Sequence, residues 1–306
     1  MSKYVIVGAS AAGIGAVEAI REVDPVGTIT MISEEPCPQY SRPMISDLVS
    51  GKANFEKMMC RNDQFWQKNE VQALTGRTAV SLNLADKYVV LDKGDHVNFE
   101  KLLIATGGKP FVPKIEGADK DGVFTFTTLS DAEHLLAKVE NATSAVVIGG
   151  GLIGVSVTEA LVKRGLKVTV VELKDTILSL ILDPTASEMV ENVIRNAGVT
   201  IVTGQSVQRV TGKTEDDNIV GGAVLTNGEQ VQCDLVIIAI GVIPRIELVS
   251  GTDVKTNRGI IVDKFMRTNV SDVYASGDVA EAYDFVFDEN RLLPLWQWHA
   301  GSERNL

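Results

Sequence analysis

The sequence predicts an α/β chain built from two units of the same kind, and three observations predict it. The segment KYVIVGASAAGIGAVEAIREVDPVGTITMISEE (3–35) and the segment SAVVIGGGLIGVSVTEALVKRGLKVTVVEL (144–173) repeat one pattern. In each, a short β-branched apolar run leads into a glycine-rich turn and then a stretch of helical period. In each, a second apolar run then ends at an acidic residue.

A strand that runs into a glycine-rich turn and opens a helix is the βαβ dinucleotide-binding pattern in its required context. The second copy is the more regular. Gly149 permits the tight turn out of the strand, Gly151 has no Cβ to keep a pyrophosphate from the backbone, and Gly154 lets the helix pack close to the sheet. Leu152 and Ile153 open the helix, whose free N–H groups and positive dipole end meet the phosphate charge. Glu172 ends the second strand, where a carboxylate accepts both ribose hydroxyls and repels a 2′-phosphate, so NADH is favoured over NADPH. In the first copy Gly8 and Gly13 hold the outer positions, with Ala11 and Ala12 between them. Ser10 replaces the middle glycine; its hydroxyl can donate a hydrogen bond. Glu34 or Glu35 supplies the ribose carboxylate.

Each unit carries a further strand-rich run. One is VSLNLADKYVVLDKGDHVNFEKLLIAT (80–106), read as a β-meander joined to the first sheet. The other is 207–241, whose turn-rich KTEDDN (213–218) reads as a solvated hairpin tip. The expected fold is therefore two Rossmann-like domains, three-layer sheets with a β-meander each. The first is discontinuous, residues 1–110 plus 246–306, with the second, 111–245, inserted.

Composition narrows the function. A net charge of −11 argues against nucleic-acid binding, which needs a basic stripe, and leaves room for a basic protein partner. The three cysteines, Cys37, Cys60 and Cys233, are widely spaced with no CxxC, which reads as reduced thiols without a disulfide framework and with no metal site. The longest apolar runs fall far short of the roughly 18 residues of a membrane span. The N-terminus enters a strand with no signal-peptide pattern, so a cytoplasmic location is expected. His96, His134 and His299 fall in no motif.

Two more stretches extend the pattern: KLLIATGGKP (101–110) and SDVYASGDVAEAYD (271–284). With the double fingerprint, the chain resembles along essentially its whole length the two-dinucleotide flavoproteins of the pyridine nucleotide-disulfide oxidoreductase superfamily. The loop YSRPMIS (40–46) resembles the branch holding NADH:rubredoxin reductases, ferredoxin reductases and the flavin part of NADH-dependent nitrite reductase. The resemblance implies FAD on the first unit and NADH on the second. It implies that Gly8, Ser10, Gly13 and Glu34 or Glu35 bind the ADP half of FAD, and that Ala79 touches adenine through its backbone. Arg42 and Pro43 would line the flavin, and Ala105, Thr106, Gly107, Gly277 and Asp278 would complete the FAD site. Gly149 to Gly154, Glu172 and Gly241 would hold NADH. The implied activity is an oxidoreductase that takes hydride from NADH onto FAD and passes electrons to a small acceptor protein such as rubredoxin or ferredoxin. No side chain is needed as an acid or base. A flavin-dependent disulfide (coenzyme A disulfide) reductase or NADH oxidase, the NADH-handling subunit of a larger iron–sulfur complex, and a non-enzymatic NADH-sensing module stand as alternatives.

The chain departs from the pattern in three ways. Cys37 lies between two prolines rather than at the position of the single reactive cysteine of disulfide-handling relatives, so it is expected to be incidental. Many relatives carry a lysine where Asp47 stands and a glutamate where Ser156 stands, a pair set under the flavin. Losing both is self-consistent, because losing one would leave a buried charge unpaired; Asp47 is then expected to face solvent or meet a basic partner. Relatives continue into an interface domain after a helix that starts near Trp296, whereas this chain stops at Leu306. A truncated piece, a partly represented chain and a short natural form all fit this end, and no dimer is assumed.

Overall fold

The computed structural model describes residues 3–62 and 64–293. Trp296 and His299 lie outside the described residues. The chain divides into two compact units. Unit one comprises Met1–Ser41, Met59–Lys109 and Ile243–Leu306; unit two comprises Arg42–Met58 and Pro110–Val242. Each contains a five-stranded sheet. In chain order the strands of these sheets are β1 (Lys3–Val7), β2 (Thr28–Ser33), β3 (Val71–Thr75), β4 (Lys101–Ile104), β5 (Val123–Thr125), β6 (Ser144–Ile148), β7 (Lys167–Val171), β8 (Thr200–Val202), β9 (Leu235–Ile238) and β10 (Val273–Ala275). The helices that matter here are α1 (Ala11–Val23), α2 (Ile45–Ser50), α3 (Leu129–Val139), α4 (Leu152–Lys163) and α5 (Pro184–Asn196).

In unit one the order is β10-β4-β1-β2-β3, all parallel. The chain runs outward from β1 through β2 to β3, then returns to fill the other side with β4 and β10. The order therefore reverses at β1, and a crevice opens at the carboxyl ends of its neighbours. The register makes that crevice level: Val7 pairs with both Ile32 and Ile104, and Ile104 with Ala275. The sheet's residues are near-continuously apolar because both faces are covered. Val5, Ile32, Leu102 and Ile104 pack on one side with Leu248 and Ile260, while Ile6, Met31 and Leu103 pack on the other with Ala16, Val17 and Ile20 of α1.

Unit two repeats the plan as β8-β7-β6-β9-β5, again parallel, with Ile148 level with Val171 and Ile238. Its core includes Val146, Ile148, Val171, Leu225 and Val236. Each unit also has its meander. Ala79–Asn83, Tyr88–Leu91 and His96–Asn98 form an antiparallel sheet of their own rather than one joined to the parallel sheet. Val207–Gly212, Val220–Leu225 and Gln230–Gln232 form the other, with residues 213–218 exposed at its tip.

One segment departs from the expected boundaries. Residues 42–58 fold with unit two, not with the residues on either side of them. The cause is α2, which buries Ile45 and Val49 and packs against α3 and α4. Polar ties reinforce it. Arg42 Nη1 donates to the Thr127 carbonyl at 3.0 Å, Arg164 Nε donates to the Val49 carbonyl, and Lys52 Nζ donates to Glu159 at 3.1 Å.

Two candidate dinucleotide sites

At the crevice of unit one, β1 is followed by Gly8, β4 by Ala105-Thr106-Gly107 and β10 by Ser276-Gly277-Asp278. The glycines are needed for backbone contact. A Cβ on Gly8, whose φ is +118°, would lie 2.0 Å from the Ala105 carbonyl oxygen, and one on Gly13 would lie 1.9 Å from the Gly8 oxygen. Gly277, φ +83°, approaches the start of α1 more loosely: a Cβ there would lie 3.2 Å from that of Ala12. Gly8, Ala12, Gly13, Ala105 and Gly277 are thus brought together, and Asp278 follows, half-buried. Ser10 is the N-cap of α1 in an extended conformation, but its side chain makes no capping bond. The first N–H groups of the helix, at Ala11 and Ala12, stay available to an anion.

The acidic residues after β2 are engaged. Glu34, exposed, pairs with Arg245. Glu35 accepts the Tyr40 hydroxyl at 2.7 Å, and Cys37 Sγ lies 3.9 Å from the same carboxylate oxygen. Arg245 is a residue the sequence did not mark. Its N–H donates to the Gly107 carbonyl at 2.9 Å and its own carbonyl accepts the Thr106 hydroxyl at 2.8 Å, so it ties the Thr106-Gly107 turn to Glu34. Gln39 is the other. It is 5% exposed, and its Nε2, like Arg245 Nε, is a buried donor with no hydrogen-bond partner. Buried donors are normally satisfied, so two orphans in this unit fit a ligand rich in phosphate and carbonyl oxygens. Gln39 immediately precedes the YSRPMIS loop; Arg245 stands 211 residues from Glu34 and had no signal. Ala79 opens the meander, paired with Leu91.

Arg42 and Pro43 belong to unit two, where Arg42 holds the Thr127 carbonyl and Pro43 is exposed. That carbonyl precedes α3, whose N-cap Thr128 and Asp131 form a capping box.

In unit two the fingerprint is complete. A Cβ on Gly149 would lie 2.5 Å from the Ala239 oxygen and one on Gly154 would lie 1.9 Å from the Gly149 oxygen. Gly151, the N-cap of α4, has nothing within 4 Å of the place its Cβ would take, so its backbone faces open space. That is the cradle a pyrophosphate requires, with Leu152 exposed and Ile153 half-buried beside it. Glu172 follows β7. Its Oε2 accepts the Gly150 N–H at 2.6 Å and its Oε1 accepts the Lys174 N–H at 2.8 Å, which fixes the carboxylate at the rim of the cradle. Gly241, φ +119°, follows β9 with open space on its Cβ side.

The altered charge pair is also visible. Ser156 is half-buried on α4, and Asp47, on α2, lies 3.8 Å from Lys52. Asp47 thus meets a basic partner within its own unit. Lys52 and Lys163 both bond Glu159, and those bonds, Lys163 foremost, hold its carboxyl below the usual range. Of the thiols, Cys233 is buried, and burial together with Asp234 pushes it up to about 12. Burial also raises Cys60. His96 and His134 are exposed. Among the described residues no helix is long and apolar enough to cross a membrane.

Comparison with known proteins agrees with this geometry. Residues 2–298 match the family model described as pyridine nucleotide-disulphide oxidoreductase. The chain is 36% identical over 287 residues to the NADH-dependent phenylglyoxylate dehydrogenase subunit epsilon of Aromatoleum evansii, covering 93% of this chain and 66% of that protein. It is 31% identical to a rubredoxin-NAD(+) reductase of Pseudomonas putida, covering 92% of this chain and 73% of the relative. A ferredoxin reductase structure from Rhodopseudomonas palustris superposes with a TM-score of 0.94 at 26% identity, covering 99% of this chain and 74% of that one. The chain spans less than two thirds of several curated relatives, down to 38% and 34% of two Bacillus subtilis proteins. With two strand-end cradles, a fingerprint in each and a family match along nearly its whole length, the chain belongs to the pyridine nucleotide-disulphide oxidoreductase family, whose cofactors are FAD and NADH.

Proposed function

We propose that this chain is an FAD-dependent NADH oxidoreductase that passes electrons from NADH through FAD to a small acceptor protein of the rubredoxin or ferredoxin class. One observation carries the reading: each unit presents an uncapped helix N-terminus at the crevice of a parallel sheet, with carboxylates after the neighbouring strand. Unit one is assigned FAD, held by Gly8, Ser10, Ala11, Ala12, Gly13, the Ala105-Thr106-Gly107 turn and Gly277-Asp278, with Gln39 and Arg245 as further donors. Unit two is assigned NADH, with the pyrophosphate on Gly151 and the first turn of α4 and the ribose hydroxyls on Glu172. When bound, the flavin supplies the step between two-electron and one-electron chemistry, while the chain supplies position and electrostatics. The rubredoxin and ferredoxin reductases among the similar proteins support an acceptor of that size and type.

Cys37 does not favour the disulfide-reductase alternative. The carboxylate of Glu35 beside it is the opposite of the cationic setting that activates thiols. The Aromatoleum evansii relative, a subunit of a larger dehydrogenase, favours a second reading, in which this chain is the NADH-handling subunit of an iron–sulfur complex.

Stopped-flow mixing with NADH under anaerobic conditions tests the proposal. The flavin band near 450 nm is expected to bleach, and to return on adding oxidised rubredoxin or ferredoxin. Cys37→Ser is expected to behave as wild type; loss of turnover in that variant gives the disulfide reading the advantage. If NADH bleaches the band but neither free acceptor restores it, the subunit reading takes over. A colourless protein that binds no FAD rejects both.

A further inference from the structure

We propose that Glu191, outside every fingerprint, is a positioning residue for the ribose end of the nucleotide in unit two. The proposal rests on the reading of unit two as the NADH site. Glu191 sits on α5, which is N-capped by Asp183 with Pro184 at its start. The helix turns an unusual face inward. Ser187 and Glu191 are its buried residues, 0% and 9% exposed, while Met189 and Val193 are 68% and 69% exposed.

A carboxylate buried at the cost of apolar packing requires bonds to both oxygens. Glu191 has them. Its Oε1 accepts the Ile177 N–H at 3.1 Å. Its Oε2 accepts Arg195 Nη2 at 2.9 Å, and Arg195 Nη1 reaches the Ile201 carbonyl on β8 at 3.2 Å. The carboxylate is thereby fixed to the sheet on one side and to residue 177 on the other.

Residue 177 is the middle of a strap that runs from Glu172 back over the glycine turn. A Cβ on Gly150 would lie 2.7 Å from Ile177 Cγ2, so the Ile177 side chain covers that glycine. The Leu178 N–H donates to the Gly150 carbonyl at 2.8 Å, while the Gly150 N–H donates to Glu172 Oε2 at 2.6 Å. Both backbone groups of Gly150 are therefore held by the segment that also carries the ribose carboxylate. The strap is not held by local preference: Leu178 has φ +54°, a left-handed conformation that leucine disfavours. It is anchored from outside, at Lys174 by the Gly204 N–H, at Leu178 by the Gly150 carbonyl and at Ile177 by Glu191.

The test is calorimetric binding of ADP-ribose and of 2′-phospho-ADP-ribose to the FAD-saturated full chain. These two ligands differ only where Glu172 acts. The wild-type protein is expected to prefer ADP-ribose. Glu191→Ala is expected to weaken ADP-ribose by about tenfold and to narrow the preference, with the flavin band unmoved. Glu191→Gln, which keeps an acceptor for the Ile177 N–H, is expected to recover most of both. Wild-type affinities for both ligands in Glu191→Ala overturn the proposal, as does a loss that Glu191→Gln does not recover. If Glu191→Ala does not fold, Glu191→Asp, which draws the acceptor back from the Ile177 N–H, carries the same expectation, and unchanged binding there overturns it equally. Wild-type protein that binds neither ligand overturns the NADH reading, and this proposal with it.

Discussion

The sharpest constraint at the residue scale is backbone contact at Gly8. Its positive φ and the 2.0 Å approach of a Cβ to the Ala105 oxygen leave no room for any side chain. The neighbour is main chain of β4's exit, not a side chain that can swing away. Gly8→Ala is expected to push the β1 turn off the Ala105 turn and abolish FAD retention. The measurement is the ratio of absorbance at 450 nm to that at 280 nm after purification; a variant with full flavin content refutes the packing argument. Ser10, two residues on, illustrates the contrast. Its side chain makes no capping bond, so it is free of the helix it precedes. A glycine there costs little in capping, typically a few tenths of a kcal/mol.

The parts that local chemistry dictates were legible in the sequence. A β-branched run, a glycine turn and a helical stretch specify β1 to α1 and β6 to α4 within about thirty residues, and both formed as read. What escaped is what depends on distant partners. Nothing within YSRPMIS announces that α2 buries Ile45 and Val49 against α3 and α4, far along the chain. Nothing near Arg245 announces Glu34. Glu191 looks like an ordinary helical glutamate until the strap it holds is seen.

Three buried or bridged carboxylates test how individual elements are held. Glu281, 4% exposed, accepts Asn257 Nδ2 and the N–H groups of Arg258 and Gly259, so one side chain closes the turn before Ile260. Removing it leaves the buried Gly259 N–H unsatisfied, and Glu281→Ala is expected to cost about 2 kcal/mol, read as a lower melting temperature. Arg77 bridges Asp92 and Asp95 at the turn between two meander strands, at 2.7 and 2.6 Å. Its bonds hold both carboxyls below their usual range. A depressed carboxyl contributes stability above the unfolded pKa, about 4, and loses it as pH falls through the folded value. The melting-temperature difference between wild type and Arg77→Ala is therefore expected to be present at neutral pH and to close below about pH 4. A difference that persists at low pH rules out the charge origin.

On the scale of the whole chain, each unit is assembled around its own core. The clusters centred on Ile6, Met31 and Leu102 draw only on unit one, and that centred on Ile148, Leu225 and Val236 draws only on unit two. Each unit has in addition its own nucleotide cradle, so a ligand binding one native cradle stabilises that unit directly through mass action. Scanning calorimetry is expected to resolve two overlapping transitions. FAD at a hundred times its Kd is expected to stabilise the unit-one transition by about 2.7 kcal/mol and ADP-ribose to raise the other. The assignment is checked with the variants already described: Gly8→Ala is expected to remove the FAD shift alone, because Gly8 lies in unit one, and Glu191→Ala to shrink the ADP-ribose shift alone, because Glu191 lies in unit two. If both ligands raise a single transition to the same extent in wild type and in both variants, the units do not unfold as separate bodies, and the assignment of one cofactor to each fails as a statement about stability.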